Sequence, residues 1–446
     1  NLIADSLWDD TDHAIMHGSI AWRAKLLGWR GPYVLDALGW HERARENFDT
    51  WTPRQNTDPI GAIPPPDPTV NLARNEPGLH SNGDISGSHY DMNMVFMDAL
   101  FRHLLWTGDT AYARQVWPVI ERHMAWEKRL FRREYGPDKL PLYESYAALW
   151  GSDGLYYGGG GVAHASAYNV YANRMAARIA VLAGQDPRPY LQEADAIEKG
   201  MRSLLWMPDA GTFAEWKDIV GKQLVHKDYA LWNFYHTIDE EAVTPREAWS
   251  MGAALGRPLP AIPGKGPGVP DDRPYHVLSE SDWMPYIWSI NNVVMDENMH
   301  TSLALWEGGH VEEAYTLAKG AILASQFMGI TPGNVGTMNL YDANRRESQR
   351  DFGDSAGTLS RALIEGLFGI RPDALKGELT VVPGFPADWT HAKLRHPDLG
   401  LNFVRSGMTD TWSISQPGAT FKTVVLRVPA VYSEVGGVTV NGAKAE

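Results

Sequence analysis

Hydrophobic positions recur at helical spacing through most of the chain before its C-terminal part. In residues 91–105, for example, Met94, Met97, Phe101 and Leu104 fall on one stripe of a helix. Glycine and proline interrupt the pattern where helices would end. The pattern predicts eleven helices, over residues 13–26, 33–48, 91–105, 112–131, 164–183, 189–205, 228–238, 245–255, 292–306, 311–327 and 355–367.

Long and short connections alternate between these predicted helices. The long segments cover residues 52–88, 136–163, 207–225, 257–290 and 329–353. This alternation is typical of antiparallel helical hairpins arranged in two concentric rings, where each long segment leads into the next inner helix. Because long irregular segments often carry function, we expect a site at the end of the inner ring that they reach.

The pattern changes near Gly377. The segments GELTVVPGF, LNFVRSG, DTWSISQ and TVVLRVP alternate in polarity or are rich in β-branched residues, and several end at glycine or proline. They predict a helical domain over residues 1–372 and a β domain over residues 373–446. The β domain is short for a full sandwich, so we expect it to be incomplete.

Composition narrows the class of protein. The chain of 446 residues has a net charge of −14, which argues against nucleic acid as a partner. It has no cysteine, and no apolar run approaches the roughly 20 residues that span a bilayer. Its 18 Trp and 18 Tyr suit surfaces that stack on sugar rings, although a single Trp is more often part of a core. The chain begins at Asn1 without a visible signal sequence, so we expect a processed or trimmed piece of a longer protein.

Polar, charged and aromatic side chains recur immediately before the predicted inner helices. The segments concerned are 29–32, 86–91, 158–164, 226–228, 288–292 and 345–351. Backbone N–H groups at such helix starts would also face an anionic ligand. At any one position a Ser, Asp or Asn can equally be an N-cap, and a His can be structural. The recurrence favours a functional site at this end.

The order of helices and connections resembles the six-hairpin (α/α)6 glycosidase clan. GLFGIRPD, residues 366–373, followed by LTVVPGFPADWTHAKL, residues 379–394, resembles the passage from barrel to β domain in the α-L-rhamnosidases and their relatives. The resemblance covers most of the chain. It implies a mainly α fold, an (α/α)6 barrel followed by a C-terminal β-sandwich-like domain, that acts on a glycan.

The catalytic motifs of the rhamnosidases are altered in this chain. Their Glu-Arg-x-Gly-Trp-x-Gly-Asp pattern survives as the turn GWRG, residues 28–31, with Lys25 in place of the glutamate and Pro32 in place of the aspartate. Their Thr-x-Trp-Glu corresponds to TMNL, residues 337–340, again without the acid. Glycoside hydrolysis usually needs two carboxylates. The departures imply another carboxylate pair, another reaction, or no catalysis.

Three functions account for the missing acids. The first is a polysaccharide lyase that cleaves rhamnosyl-glucuronate linkages by β-elimination, where a cation neutralises the uronate and a His or Tyr takes the adjacent proton. The second is an exo-acting glycoside hydrolase with a different carboxylate pair. The third is a non-catalytic glycan-binding protein. The basic residues near the helix starts favour the lyase.

Both enzymatic hypotheses use side chains from the same end of the barrel. The predicted catalytic residues are His89, His164, Tyr146, Glu144 and Glu297. The predicted substrate-binding residues are Trp29, Arg30, Tyr90, Trp150, Lys217, His226, Trp288, Asn292, His300, Arg345 and Arg346. For hydrolysis, Asp153, Glu215 and Asp218 are further candidate carboxylates.

We predict no cofactor. Asp84, His89, Asp91 and Asn93 have a spacing that a divalent cation could use, but the chain has no HExxH pattern and no nucleotide fingerprint. The predicted partner is a glycan, with no nucleic acid and no membrane span, and the oligomeric state is left open. From a polysaccharide-degrading function we expect a periplasmic or extracellular location.

Overall fold

The computed structural model is rich in helix. It describes residues 2–18, 27, 30–57, 92–145, 160–264, 269–270, 272, 274–282, 292–327, 338–342, 347–350, 353–418, 420–429 and 431–444. The helices are α1 (Leu2–Leu7), α2 (Tyr33–Ala37), α3 (His41–Trp51), α4 (Met92–Thr107), α5 (Thr110–Phe131), α6 (Ala163–Leu182), α7 (Arg188–Leu204), α8 (Leu231–Asp239), α9 (Pro245–Leu255), α10 (Met295–Glu307), α11 (Val311–Ile322) and α12 (Asp354–Arg361). Thr52–Arg54 is a 3₁₀ turn, and π-helical turns follow α11 over Leu323–Phe327 and α12 over Ala362–Leu367.

Six helices form a closed inner ring. In order, α2, α4, α6, α8, α10 and α12 each pack against the next, and α12 packs back against α2. Five of them have an outer partner, because α3, α5, α7, α9 and α11 pack against the inner helix that precedes them. The inner helices are buried on nearly all sides, and α10 buries every residue from Met295 to Trp306. The described helices thus form the two rings that the alternating connections predict.

Two helical predictions differ from the structure. Residues 33–48 were expected to form one helix, but they form α2 and the first part of α3, separated at Gly39, which has a φ of 74°. A Cβ at Gly39 would lie 2.7 Å from Pro397 Cγ, so glycine also allows the chain to approach closely. The helix predicted over residues 13–26 is wrong in its described part, because Ala14–Ile15 is a strand paired with Trp8–Asp9.

Short strands lie before α2 and in or next to the long connections. They are β1 (Trp8–Asp9), β2 (Ala14–Ile15), β3 (Arg132–Tyr135), β4 (Leu140–Glu144), β5 (Gly161–Val162), β6 (Trp206–Met207), β7 (Thr212–Phe213), β8 (Trp216–Lys217), β9 (Val225–His226), β10 (Ala261–Pro263), β11 (His276–Leu278), β12 (Val293–Val294), β13 (Met338–Asp342) and β14 (Glu347–Arg350). A five-stranded sheet of order β3-β4-β5-β8-β9 connects the segments that lead into α6 and α8. Because β12 precedes α10, that helix begins at Met295 and not at residue 292 as predicted.

The C-terminal part is built of strands, as its sequence pattern predicts. They are β15 (Ile370–Asp373), β16 (Glu378–Val381), β17 (His391–Arg395), β18 (Gly400–Ser406), β19 (Thr409–Ser415), β20 (Thr423–Leu426), β21 (Thr439–Val440) and β22 (Ala443–Lys444). One sheet has the order β15-β16-β20 and another the order β17-β18-β19. Their shared core includes Leu379 and Leu401 and continues into the barrel through Trp106 and Ile364. The domain boundary at residue 373 stays a prediction.

The C-terminal sheets lie at the end of the barrel where inner helices finish. The N–H of Ala374 donates to the carbonyl of Leu105 near the end of α4 (2.7 Å). The indole N–H of Trp306 near the end of α10 donates to the carbonyl of Gly384 (2.9 Å). The N-terminal ends of the inner helices therefore face away from the sheets. Within the described residues, no helix combines the length and apolar character needed to cross a membrane.

Candidate functional site

Starts of inner helices meet at the end of the barrel opposite the C-terminal sheets. The N–H of Arg30, which precedes α2, donates to Asp354 Oδ1 at the start of α12 (2.6 Å). The N–H of Ala163, the first residue of α6, donates to the carbonyl of Glu215 on the segment leading to α8 (3.1 Å). The segments before α2 and α12, and those before α6 and α8, therefore meet in pairs at this end.

Arg30 is the centre of a buried ionic cluster at this end. Its Nη2 atom donates to Asp296 Oδ2 (2.5 Å) and to Glu297 Oε1 (2.6 Å), both in the first turn of α10. Its Nη1 atom lies 3.3 Å from the Tyr235 hydroxyl and 3.2 Å from His300 Nδ1. The guanidinium is fully buried. Ion pairing compensates the cost of burying these charges only because the geometry is close and each group has several partners.

Burial sets the protonation of the acids around Arg30. Removal from water raises the pKa of Asp296 to about 8; Arg30 opposes this shift, and Glu297 and Asp354 add to it. Burial also raises the pKa of Asp354, and backbone hydrogen bonds from Arg30 and Gly31 to its carboxyl group oppose this shift. Burial therefore favours the protonated form of Asp296 near neutral pH, and Arg30 opposes it. A buried acid with a raised pKa is a typical proton donor in acid–base catalysis.

Two further carboxylates lie on the connecting segments at the same end. Glu215 is fully buried, and its Oε1 atom accepts a hydrogen bond from Trp232 Nε1 in the first turn of α8 (3.0 Å). Glu280 is also fully buried, and its carbonyl accepts from the N–H of Leu231, the first residue of α8 (2.8 Å). Acidic groups are favoured at helix starts by the helix dipole alone. Together with the acids around Arg30, they make this the acidic end of the barrel.

A second ionic layer supports the cluster from deeper in the barrel. His300 Nε2 lies 2.7 Å from Asp239 Oδ2 at the end of α8. Arg361 of α12 binds Asp239 through two bonds of 2.8 and 2.7 Å, and Arg102 of α4 lies 3.2 Å from the same carboxylate. Burial opposes ionisation of Asp239, but Arg102, Arg361 and His300 hold its pKa well below the usual range. The acidic end thus rests on a fixed charge network.

Three predicted site residues lie together in this cluster. They are Arg30 and His300, predicted to bind substrate, and Glu297, predicted to be catalytic. Arg30 is far from the other two in the sequence, and the folded chain brings each of them within hydrogen-bond distance of its guanidinium. Their individual roles stay predictions. In this structure the Arg30 guanidinium is directed at carboxylates of its own chain.

Three other predicted residues lie near the starts of α6 and α10. His164 is buried in the first turn of α6, and its N–H donates to Asn233 Oδ1 (3.2 Å). Glu144 at the end of β4 accepts from Arg133 Nε (2.7 Å); burial raises the pKa of Glu144, and Arg133 opposes the shift. Asn292 is buried directly before β12. All three are positioned by elements that lead to the acidic end.

Lys217 and His226 lie on the hairpin formed by β8 and β9. The His226 ring stacks on Trp216, the residue opposite it in the sheet, with ring centres 3.9 Å apart and planes within 7°. His226 Nε2 lies 2.9 Å from Asp218 Oδ1, and Lys217 Nζ donates to the carbonyl of Gln223 (2.5 Å). The hairpin therefore presents a half-buried aromatic pair with a carboxylate at its edge. A sugar-binding role for this pair stays a prediction.

The remaining predicted site residues lie outside the described part of the chain. They are His89, Tyr146, Trp29, Tyr90, Trp150, Trp288, Arg345 and Arg346. Of the predicted cation-binding group, Asp84, His89 and Asp91 also lie outside it, and Asn93 is buried in α4.

Sequence reasoning missed several members of the acidic end. Asp296, Asp354, Glu280 and Tyr235 were not among the predicted site residues, although Asp296 is the immediate neighbour of Glu297. One signal was available, since Asp296 and Asp354 occupy the first turns of α10 and α12 and Glu280 precedes α10 in a long connection. Tyr235 had no such signal, because it lies within a helix and reaches the site only through the fold.

One cluster in the described ranges has the composition of a metal site. Asp36, His41 and His103 place one potential ligand atom each within 4.8 Å of the others. Their contacts are short, with Asp36 Oδ1 lying 2.6 Å from His41 Nδ1 and 2.9 Å from His103 Nδ1. Ligands around a tetrahedral zinc would be about 3.3 Å apart, given bonds near 2 Å. The distances are those of N–H···O hydrogen bonds, which account for the arrangement without an ion.

Comparisons with known proteins place the fold among glycosidases. No protein-family model and no curated protein sequence matches the chain. Its structure resembles the GH78 family rhamnosidase of Bacillus sp. GL1, with a TM-score of 0.52 and 14% identity over 78% of this chain and 34% of that one. It also resembles the Streptomyces avermitilis α-L-rhamnosidase complexed with L-rhamnose, with a TM-score of 0.53 and 15% identity over 92% of this chain and 36% of that one.

A smaller enzyme matches over almost its whole length. A wild-type glycosidase aligns with a TM-score of 0.54 and 12% identity over 82% of this chain and 94% of that one. The chain spans about a third of the length of the two rhamnosidases, 34% and 36% respectively. Identities this low establish architecture and leave activity open. The chain has a six-hairpin glycosidase-like fold, shared with α-L-rhamnosidases and other glycosidases.

Proposed function

We infer that the protein is a carbohydrate-active enzyme, an exo-acting glycoside hydrolase that uses a carboxylate pair different from that of the rhamnosidases. The observation that carries this proposal is that Glu215, Glu280, Asp296, Glu297 and Asp354 lie at the same end of the barrel, the last three around Arg30. Hydrolysis of a glycosidic bond usually uses two carboxyl groups, one as the acid and the other as the base or nucleophile. This end of the barrel holds several carboxyl groups on a glycosidase-like fold.

Asp296 is the group best suited to donate the proton. Burial raises its pKa to about 8, which favours the protonated form near neutral pH. It would protonate the glycosidic oxygen as the bond to the sugar carbon breaks, and an ionised carboxylate would stabilise the developing positive charge or activate the attacking water. Glu297, Glu215 and Glu280 are the candidates for that second carboxylate. Arg30 keeps the two neighbouring acids of α10 in fixed orientations.

The charge of the cluster favours a neutral sugar. Arg30 donates to Asp296 and Glu297 through Nη2 and to Asp354 through its backbone N–H, so three acidic side chains surround this one guanidinium. A uronate placed against this cluster would meet carboxylates as well as the guanidinium. A neutral glycosyl unit would avoid this repulsion. This favours hydrolysis of a neutral glycoside over elimination from a uronate.

A rhamnosyl-glucuronate polysaccharide lyase is the second candidate, and one observation favours it. Lys25 and Pro32 stand where the rhamnosidases carry catalytic acids. Elimination needs a cation for the uronate and a base for the adjacent proton. The predicted cations Arg345 and Arg346 lie outside the described residues. In either case a protein acting on polysaccharide would work in the periplasm or outside the cell.

Product analysis separates the two candidates. The protein is incubated with a panel of neutral aryl glycosides, including an α-L-rhamnoside, and with uronate-containing polysaccharides. A hydrolase releases reducing sugar from the neutral panel. A lyase produces an unsaturated uronate, which is detected by its ultraviolet absorbance. Elimination products without release of neutral sugar would replace the hydrolase by the lyase, and no product of either kind would leave a glycan-binding protein.

Substitutions at the acidic end test the assignment of the proton donor. Asp296→Asn should reduce kcat by about 10²–10⁴-fold, the usual effect of removing a positioned acid. One of Glu297→Gln, Glu215→Gln and Glu280→Gln should have a comparable effect. Glu307→Gln is the matched control, because Glu307 ends the same helix at the opposite end of the barrel and burial raises its pKa to about 8 as well. Equal losses at residues 296 and 307 would contradict the location of the site.

A further inference from the structure

His300 connects the two ionic layers of the barrel. Its Nδ1 atom lies 3.2 Å from Arg30 Nη1, and its Nε2 atom lies 2.7 Å from Asp239 Oδ2. The ring is 1% exposed and stacks on Tyr235, with ring centres 4.2 Å apart and planes within 19°. The orientation of the ring is thus restricted by contacts at both nitrogens and on one face.

The partners of His300 determine where its proton lies. A guanidinium has only donors, so Arg30 must donate and Nδ1 must accept. The single ring proton is then on Nε2, where it is donated to the carboxylate of Asp239. Burial lowers the pKa of His300 to about 3, against the hydrogen bond to Asp239, which raises it. Arg30 and His300 therefore form a fixed pair of donor and neutral acceptor.

Asp239 is itself held in place. Arg361 binds both of its oxygens, at 2.7 and 2.8 Å, and donates through Nε to Glu365 (2.8 Å). The chain of contacts therefore runs from Arg361 through Asp239 and His300 to Arg30. All of its members are buried on the inner helices α8, α10 and α12 or directly before α2. Each contact in this chain restricts the orientation of the next side chain, because a hydrogen bond is favourable only in a narrow range of geometries.

We propose that His300 is a positioning residue for the reaction, which orients Arg30 through Nδ1 and thereby orients the carboxyl groups of Asp296 and Glu297. This inference rests on the proposed hydrolytic function. Arg30 donates to His300 through Nη1 and to the two acids through Nη2. Fixing one edge of the planar guanidinium fixes the other. His300 has no need to touch the sugar to affect the rate.

Two amide substitutions separate the two contacts of His300. In His300→Asn the amide lies near the position of Nδ1, so it can accept from Arg30 but cannot reach Asp239. In His300→Gln the amide reaches the position of Nε2, so it can donate to Asp239 but leaves Arg30 without this acceptor. Both variants remove the same aromatic ring. They therefore form a matched pair for stability as well as for activity.

The proposal predicts unequal kinetics for the pair. His300→Gln should lower kcat by on the order of 10²-fold, the effect of a small misplacement of catalytic groups, with little change in KM. His300→Asn, which keeps an acceptor for Arg30, should lose less activity than His300→Gln. Melting temperatures of both variants show how much each contact contributes to folding. Equal activities, or a greater loss in His300→Asn, would overturn the proposal, because the contact with Arg30 would then not be the one that determines the rate.

A spectroscopic readout keeps this inference separate from the proposed function. Nitrogen-15 spectra of histidine-labelled wild type, with the His300 signals identified by their loss in His300→Asn, report which ring nitrogen is protonated. We expect a neutral ring with its proton on Nε2. A proton on Nδ1 would overturn the proposal whatever the enzyme cleaves. If the expected tautomer is found but no glycoside is hydrolysed, the hydrolytic function fails and the arrangement of Arg30 by His300 stands.

Discussion

At the scale of single residues, the acids beside Arg30 differ in what surrounds them. Asp296 faces Arg30, Glu297 and Asp354, and Arg30 in turn faces Tyr235 and His300. The cluster holds more carboxyl groups than Arg30 alone can neutralise at close range. Keeping a proton on one of them is the least costly solution for buried acids. Burial raises the pKa of Asp296 to about 8 and also raises that of Asp354, which favours a proton on one of the two.

The pH dependence of activity follows from this protonation. If Asp296 donates the proton, the active form is the protonated one, and burial raises the pKa of that carboxyl to about 8. The value of kcat/KM should therefore fall as the pH rises through about 8, since this ratio reports groups of the free enzyme. Initial rates from pH 5 to 10 on one neutral glycoside measure it, with stability checked at each pH. Activity that continues to rise above pH 9 would contradict Asp296 as the donor.

Part of this cluster could be predicted residue by residue. Arg30, Glu297 and His300 were selected from the sequence, the first two because they lie near the starts of inner helices. Their mutual contacts were not predictable, since Arg30 and Glu297 are 267 positions apart and no local pattern reports such a pairing. For the same reason Arg30 was expected to bind a substrate carboxylate, whereas the fold supplies carboxylates from the chain itself.

At the scale of secondary-structure elements, local sequence signals predicted helix ends correctly where contacts with distant segments did not change them. The prediction for residues 245–255 coincides with α9, because Thr244, Pro245 and Glu247 form a complete start signal. The start of α3 was missed because the apolar pattern continues through residues 33–48 without a break. The interruption at Gly39 depends on the approach of Pro397 from the C-terminal part, which the local sequence does not show.

The capping box of α9 gives a direct test at this scale. Thr244 Oγ1 accepts from the N–H of Glu247 (3.3 Å), and Glu247 Oε2 accepts from the N–H of Thr244 (2.7 Å). Thr244→Ala should lower the free energy of unfolding by about 1 kcal/mol, within the 0.5–2 kcal/mol typical of lost caps. Thr244→Ser, which keeps the hydroxyl, is the control. Denaturation midpoints measure both, and equal shifts for Ala and Ser would show that the hydroxyl contributes nothing.

At the scale of the whole molecule, periodicity predicted the two rings and the strands near the C-terminus. These features depend on repeated local patterns of 3.6 and 2 residues. The pairing of the strands did not follow from them, since β16 pairs in parallel with the distant β20. The attachment of the C-terminal sheets to the barrel also depends on contacts between remote segments. Trp106 of α4 stacking on His396, with ring centres 5.2 Å apart, is one of them.

His41 forms an ionic link in this attachment. Its Nδ1 atom lies 2.6 Å from Asp36 Oδ1 of α2, and its Nε2 atom lies 2.7 Å from Asp398 Oδ2, between β17 and β18. Two carboxylates can both be satisfied by this ring only when each nitrogen carries a proton. Burial opposes the charge on His41, but the hydrogen bonds to Asp36 and Asp398 raise its pKa to about 10. The imidazolium thus links the barrel to the C-terminal sheets.

The link should stabilise the protein in a defined range of pH. The folded pKa of His41, about 10, lies above the unfolded value of about 6.5, so folding favours the protonated ring. The stabilisation is complete below pH 6.5 and is lost as the pH rises towards 10, with each unit of pKa difference corresponding to about 1.4 kcal/mol.

The difference in unfolding free energy between wild type and His41→Gln should therefore be largest near pH 6 and should shrink towards pH 10. His391→Gln, on the exposed face of β17, is the control and should show a small difference at both values. A difference for His41→Gln that stays constant between pH 6 and 10 would mean that the ring is neutral and that the link is an ordinary hydrogen bond.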